Sequence, residues 1–132
     1  MAGSYAWHEA RFADYVQLFG DTPTQLKGNF LEMSPRHLAS LGLDYRPDRG
    51  PYGSVVWQHV GSRYLNKRNT ASAPAYDTFD ASLGWRFPRW EIAAVVRNMT
   101  DKRPPVSESE LGESQYYRLP ARAGEVIATW LF

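Results

Sequence analysis

The residues best suited to chemistry in this chain are three histidines, His8, His37 and His59, and a scatter of serines and carboxylates. An imidazole can ligate a metal or move a proton near neutral pH. A metal site, however, needs His, Cys or carboxylate partners at close, repeated spacing, and these three histidines fall on separate strands or loops with no such partner. They read as surface or lumen residues. No Gly-x-Ser-x-Gly elbow accompanies the serines, and there is neither a phosphate loop nor a dinucleotide-binding glycine pattern. With no cysteine, disulfides and thiolate metal sites are excluded. The expectation is a non-enzyme with no catalytic, metal-binding or cofactor-binding residues and no cofactor. Fifteen basic and 14 acidic residues leave a net charge of +1, without the basic stripe that nucleic-acid binding requires. The charges Asp44, Arg46, Asp80, Arg86, Glu91 and Arg97 are instead placed either to pair across neighbouring strands, the favoured reading, or to line a solute path.

What would position these residues is a set of β-strands. Phe79, Ala81, Leu83, Trp85 and Phe87 alternate with Asp80, Ser82, Gly84 and Arg86, a period of two that marks a strand with one apolar face. Pro88 and Arg89 break the run. Trp90, Ile92, Ala94 and Val96 then alternate with Glu91, Ala93, Val95 and Arg97, so the two runs form a tight hairpin. Upstream, Ala39, Leu41, Leu43 and Tyr45 alternate with Ser40, Gly42, Asp44 and Arg46. Ser34 and Pro35 resemble a helix start, but Gly42 and the alternation after it favour a strand. Residues 47–51 carry turn chemistry. Strands over 5–15 and 52–64 have uncertain facing, and 125–132 alternates Val126, Ala128, Trp130 and Phe132 against Ile127, Thr129 and Leu131.

The fold class expected is therefore all-β: an antiparallel meander of about six strands, an open segment of a transmembrane β-barrel. Short links at 47–51 and 88–89 alternate with long ones at 16–37, 65–75 and 99–121, as in barrels with short turns on one side of a membrane and long loops on the other. No run approaches the ~20 apolar residues of a membrane helix. Residues 1–15 lack a basic segment followed by an apolar core, so an exported protein would carry its signal upstream of this chain.

Aromatic residues gather at the short-link end of the strands. Tyr45, Tyr52, Trp85, Phe87, Trp90, Trp130 and Phe132 are expected to form a membrane-interface belt, because an apolar ring with a polar edge suits the headgroup level. Tyr5 and Trp7 are expected at the same end, with Tyr64 and Tyr76 forming a weaker belt at the other.

Several stretches together resemble the C-terminal part of TonB-dependent outer-membrane receptors. They run through Gly28-Asn29, Ser34-Pro35-Arg36-His37, Leu43-Asp44-Tyr45, Val60-Gly61-Ser62-Arg63-Tyr64-Leu65 and Asn69-Thr70. Tyr76, Phe79-Asp80 and Trp90-Glu91-Ile92 follow, then Arg97-Asn98-Met99-Thr100-Asp101-Lys102-Arg103, Tyr116-Tyr117, Pro120-Ala121-Arg122 and Phe132. Met99 stands where the family usually has Leu, and Ile127 where its closing strand usually has Gly. The resemblance implies that residues 1–132 are a C-terminal barrel fragment in the bacterial cell outer membrane, with the plug domain and earlier strands absent. It implies a parent receptor for siderophores, vitamins or similarly bulky nutrients, which this fragment alone would not transport. The partners implied are outer-membrane lipid, the barrel-assembly machinery, and the TonB complex only through the missing plug; the residues that bind ligand stay unassigned. A soluble up-and-down β-barrel holding a small ligand is the alternative, with Leu41, Leu43, Leu83, Trp85, Ile92 and Val96 pointing inward.

Overall fold

A computed structural model describes residues 1–109 and 112–130. Twelve strands follow in chain order: β1 (Ala2–Trp7), β2 (Val16–Phe19), β3 (Thr22–Gln25), β4 (His37–Tyr45), β5 (Gly50–Val60), β6 (Arg63–Tyr64), β7 (Ser72–Ala73), β8 (Tyr76–Arg86), β9 (Trp90–Arg97), β10 (Pro105–Ser109), β11 (Gly112–Arg118) and β12 (Ala123–Trp130). Six of them make one antiparallel sheet in the order β1-β4-β5-β8-β9-β12. Every neighbour in it is also the next long strand in sequence, so the sheet is a simple meander. The remaining strands form three two-stranded hairpins, β2-β3, β6-β7 and β10-β11, each within one of the long connections.

The sheet is open. β1 and β12 each have one neighbour, so the apolar faces do not fill a closed small barrel and the soluble-barrel alternative fails. Among the described residues the buried apolar side chains are Leu26, Tyr52, Leu65 and Ala73, and all but Tyr52 lie among the loops. Among the described residues, Tyr52 is thus the one buried apolar side chain of the six-stranded sheet. Its side chains must be covered by something other than this chain.

Strand limits shift in two places. The first strand ends at Trp7 and does not reach Tyr15. Residues 10–15 turn back on residues 26–31, with Phe12 N donating to Asn29 O (2.9 Å), Gly28 N to Phe12 O (2.8 Å) and Leu26 N to Tyr15 O (2.8 Å). This pairing buries Leu26 to 1% exposure and stacks Phe12 on Tyr15, which competes successfully with continuation of the strand. Likewise, the strand expected over 52–64 ends at Val60. At Gly61 the backbone comes close to His37, its N donating to His37 O at 2.8 Å; a Cβ there would meet His37 O at 3.0 Å. At Ser34 and Pro35 the backbone is not helical and the strand begins at His37.

Candidate functional site

Directly paired residues in antiparallel strands share a face, so the register assigns every side chain of the sheet to one of two surfaces. One surface collects Gly3, Tyr5 and Trp7; Ala39, Leu41, Leu43 and Tyr45; Val55 and Trp57; Phe79, Ala81, Leu83 and Trp85. On β9 and β12 it continues with Trp90, Ile92, Ala94, Val96, Val126, Ala128 and Trp130. No Asp, Glu, Lys or Arg lies on it between Tyr5 and Tyr45 or between Phe79 and Trp130. Its apolar side chains stand free: Leu83 is 70% exposed and Val126 73%.

The other surface carries the polar and charged groups, interspersed with Leu38, Val56, Val60, Val95 and Ile127. Ser4 Oγ meets Ser40 Oγ at 2.8 Å and Ser54 Oγ meets Ser82 Oγ at 2.8 Å, a hydroxyl ladder across neighbouring strands. The charges there are paired. Arg86 donates to Glu91 at 3.0 Å, Arg97 lies 2.7 Å from Glu125, and Arg46 lies 3.6 Å from Asp44. Asp80 accepts from the backbone N of Asn98 at 2.8 Å. The alternating sequence thus separates an apolar and a polar surface across one sheet thickness.

Of the aromatic residues expected at the short-link end, Tyr45, Trp85, Trp90 and Trp130 lie on the apolar surface there, with Trp130 directly paired to Trp90. Phe87 sits in the β8–β9 turn, where its N donates to Trp90 O at 2.8 Å. Its ring stacks on Trp90 with centroids 4.0 Å apart, and Trp85 flanks it at 6.3 Å. Phe132 lies outside the described residues.

Tyr52 departs from the expectation. Its partner in the register is Gly84, which belongs to the polar surface, and it is only 8% exposed. Its ring occupies the space that Gly84 leaves open; a Cβ on Gly84 would lie 2.5 Å from Tyr52 Cζ. The guanidinium carbons of Arg86 and Arg46 stand 5.4 and 5.8 Å from the ring centroid. Its parity with Ser54 and Gln58 was the available signal, obscured by the valines at Val55, Val56 and Val60.

Tyr5 and Trp7 also move. β1 starts opposite Gly42 and ends with Trp7 opposite His37, so its aromatics sit at the long-loop end. There the apolar surface ends in Tyr5, Trp7, Trp57 and Phe79, joined by polar groups. Tyr5 Oη lies 2.9 Å from His37 Nδ1. Asp77 Oδ1 accepts from Trp57 Nε1 at 2.9 Å and lies 2.9 Å from His59 Nδ1. Tyr76 is not part of this rim, since it pairs with Val60 on the polar surface, and Tyr64 stacks on Phe30 in the loops. His8 meets Ser34 Oγ at 3.0 Å.

Two asparagines tie the long connections together. Asn69 accepts from Phe30 N at 2.7 Å and donates to Phe30 O at 2.9 Å, joining the 26–34 and 61–73 segments. Asn98, 7% exposed, donates to Lys102 O and Pro120 O, both at 2.8 Å, and accepts from Lys102 N at 3.1 Å.

Residues 1–99 match the family described as TonB dependent receptor-like, beta-barrel. The ferrichrome outer membrane transporter/phage receptor of Escherichia coli (strain K12) is 26% identical over 111 residues, covering 77% of this chain and 14% of that protein. The siderophore receptor PiuA from Acinetobacter baumannii shares the fold with a TM-score of 0.71 at 19% identity, over 86% of this chain and 16% of that one. The ferric yersiniabactin uptake receptor FyuA from Yersinia pestis gives a TM-score of 0.63 at 25% identity, over 78% and 17%. The chain therefore spans 14–17% of the length of these relatives.

Proposed function

The chain belongs to the family of TonB dependent receptor-like β-barrels, and from that premise we propose that it is a six-strand stretch of barrel wall in a bacterial outer-membrane receptor. The observation that carries this reading is the sorting of the sheet into an apolar surface, free of charge except for Asp77 at its loop-end rim, and a surface that holds the paired charges. In a bilayer the apolar surface meets lipid and the polar surface faces the lumen. Strands of eight to eleven residues from β4 to β12 in the sheet suit a tilted crossing of the hydrocarbon layer.

Unpaired backbone edges are costly in lipid, so the free edges of β1 and β12 must meet further strands. Barrels of the plugged, transporter type have ~22 strands. We assign residues 1–132 to the C-terminal part of such a barrel, on the order of its motifs from Gly28 to Phe132; the plug and earlier strands would belong to the complete receptor. Tyr45, Trp85, Phe87, Trp90 and Trp130 would form the belt at the short-turn, periplasmic interface, with outer-membrane lipid as their partner. The barrel-assembly machinery would receive the closing strand.

The relatives are named for ferrichrome and for siderophores, which supports uptake of a siderophore complex or comparably bulky nutrient as the activity of the complete receptor. TonB would act through the plug. This stretch of wall alone would neither transport nor catalyse.

The test places single cysteines in this cysteine-free stretch within the complete receptor, folded into lipid vesicles. Labels at Leu83→Cys and Val126→Cys should be quenched by lipid-borne quenchers, and labels at Ser82→Cys and Thr129→Cys by aqueous ones. Equal aqueous quenching at all four positions would overturn the reading.

A further inference from the structure

At the loop end of the polar surface lies a cavity of about 320 Å³, a volume in the range that holds a small ligand. Its polar lining includes Arg36, Arg63, Ser34, Ser62 and Ser72, beside the rings of Phe30 and Tyr64. Every one of these side chains can donate a hydrogen bond, two carry a full positive charge, and among the described residues no carboxylate lines the space.

Arg63 is the unusual member. It is 7% exposed. Its Nη2 donates to Pro105 O at 2.6 Å, while its Nη1 is buried with no hydrogen-bond partner among the described residues. A guanidinium held out of water without an anion is costly, and an oxyanion is its natural complement. Arg36 is nearly as available. It rests on Phe30, 4.0 Å from the ring centroid, and its contact with Glu9 is 3.9 Å long. Glu9 already pairs with Arg11 at 2.7 Å. Glu32 Oε2 is likewise buried without a hydrogen-bond partner, but Glu32 does not line the cavity.

We propose that this cavity is an oxyanion-binding site, in which Arg63 and Arg36 with the flanking serine hydroxyls take up a carboxylate or phosphate group of a solute. The solute, rather than a lipid, follows from position. The Arg63 guanidinium lies 5.4 Å from the ring of Tyr76, which belongs to the polar surface, so the site opens on the lumen side. Its place at a barrel mouth rests on the barrel-wall reading; its donor chemistry does not.

The test follows the arginine side-chain NMR signals of the full chain, folded in neutral detergent micelles, during titration with inorganic phosphate and separately with acetate at constant ionic strength. Saturable shifts are expected with a midpoint on the order of 10 mM or below. R63M and R36M should each weaken that midpoint at least tenfold, with R63K intermediate, and E32Q should leave it unchanged. R36M, whose residue is more exposed, keeps the proposal testable if R63M does not fold. Shifts that never saturate, that persist in R36M, or that appear only in E32Q overturn the proposal, the last because Glu32 would then be the partner of Arg63. Micelles doped with phosphatidylglycerol form a second arm, and a response to that lipid but not to phosphate overturns the solute assignment. A chain that folds without detergent and binds phosphate would sink the barrel-wall reading alone, whereas a chain that folds in micelles and ignores both anions would sink this one alone.

Discussion

Tyr52 and Gly84 illustrate how much a single register pair decides. The tyrosine fills the space that a missing Cβ leaves, with Ile92 O only 2.7 Å from where that Cβ would be. Gly84→Val should therefore lower stability by about 1–3 kcal/mol through overpacking, read as a shift in the urea midpoint of the folded chain in micelles. Tyr52→Ala should recover only part of it, since the backbone oxygen remains. Asn98 sits at φ 50°, a left-handed conformation that asparagine tolerates better than most residues. It holds the chain on both sides of the β10-β11 hairpin. Asn98→Ala should cost about 1–3 kcal/mol, because three hydrogen bonds made by the buried amide, to Lys102 O, Pro120 O and Lys102 N, are lost; loss below ~0.5 kcal/mol would mean that the clasp is dispensable. The Asn98–Lys102 stretch was legible as a motif, but its purpose was not, since Pro120 O and Asp80 arrive from distant segments.

Among elements, the β8–β9 hairpin was the most legible. Strict alternation and Pro88 prescribe two strands and a turn, and the observed limits agree with them. β5 was the least legible, because apolar residues occupy both parities and its facing is settled only by pairing with β4 and β8. The two surfaces should respond oppositely to charge. Leu83→Arg should destabilise insertion by about 2–4 kcal/mol, as expected for a cation at mid-depth on a lipid face. Gln58→Arg on the polar surface should change it by less than ~1 kcal/mol. Vesicle-folding titrations compare the two, and equal effects would contradict the assignment of faces. The stacked Phe87–Trp90 pair should contribute ~0.5–1.5 kcal/mol beyond area burial, measurable by a double-mutant cycle with alanine at both positions.

For the whole molecule, the governing facts are a sheet with one buried apolar side chain among the described residues and two free edges. Nearly all fully buried apolar side chains lie beneath the loops, so the loop cluster can pack within the chain while the sheet cannot. Unpaired edges invite pairing with other strands. In water without detergent the chain should therefore aggregate, and in micelles it should become dispersed and rich in β-structure, as sedimentation and circular dichroism would report. A dispersed monomer in plain buffer would contradict the exposed apolar surface. Strands that supply both edges should raise the unfolding midpoint, whereas lipid alone should leave the edges unprotected in hydrogen exchange.

Composition and periodicity alone determined that the chain is all-β, that its strands are two-faced, and that short and long connections alternate. These are local properties, written in side-chain parity and turn residues. The tertiary structure decided what depends on which strand meets which. It moved Tyr52 to the polar surface and Tyr5 and Trp7 to the loop end, folded residues 10–15 onto 26–31, and gathered Arg36 and Arg63 around one cavity. Register and loop packing are non-local: a one-residue slip reverses every side chain of a strand, and no single segment contains the partner that prevents it.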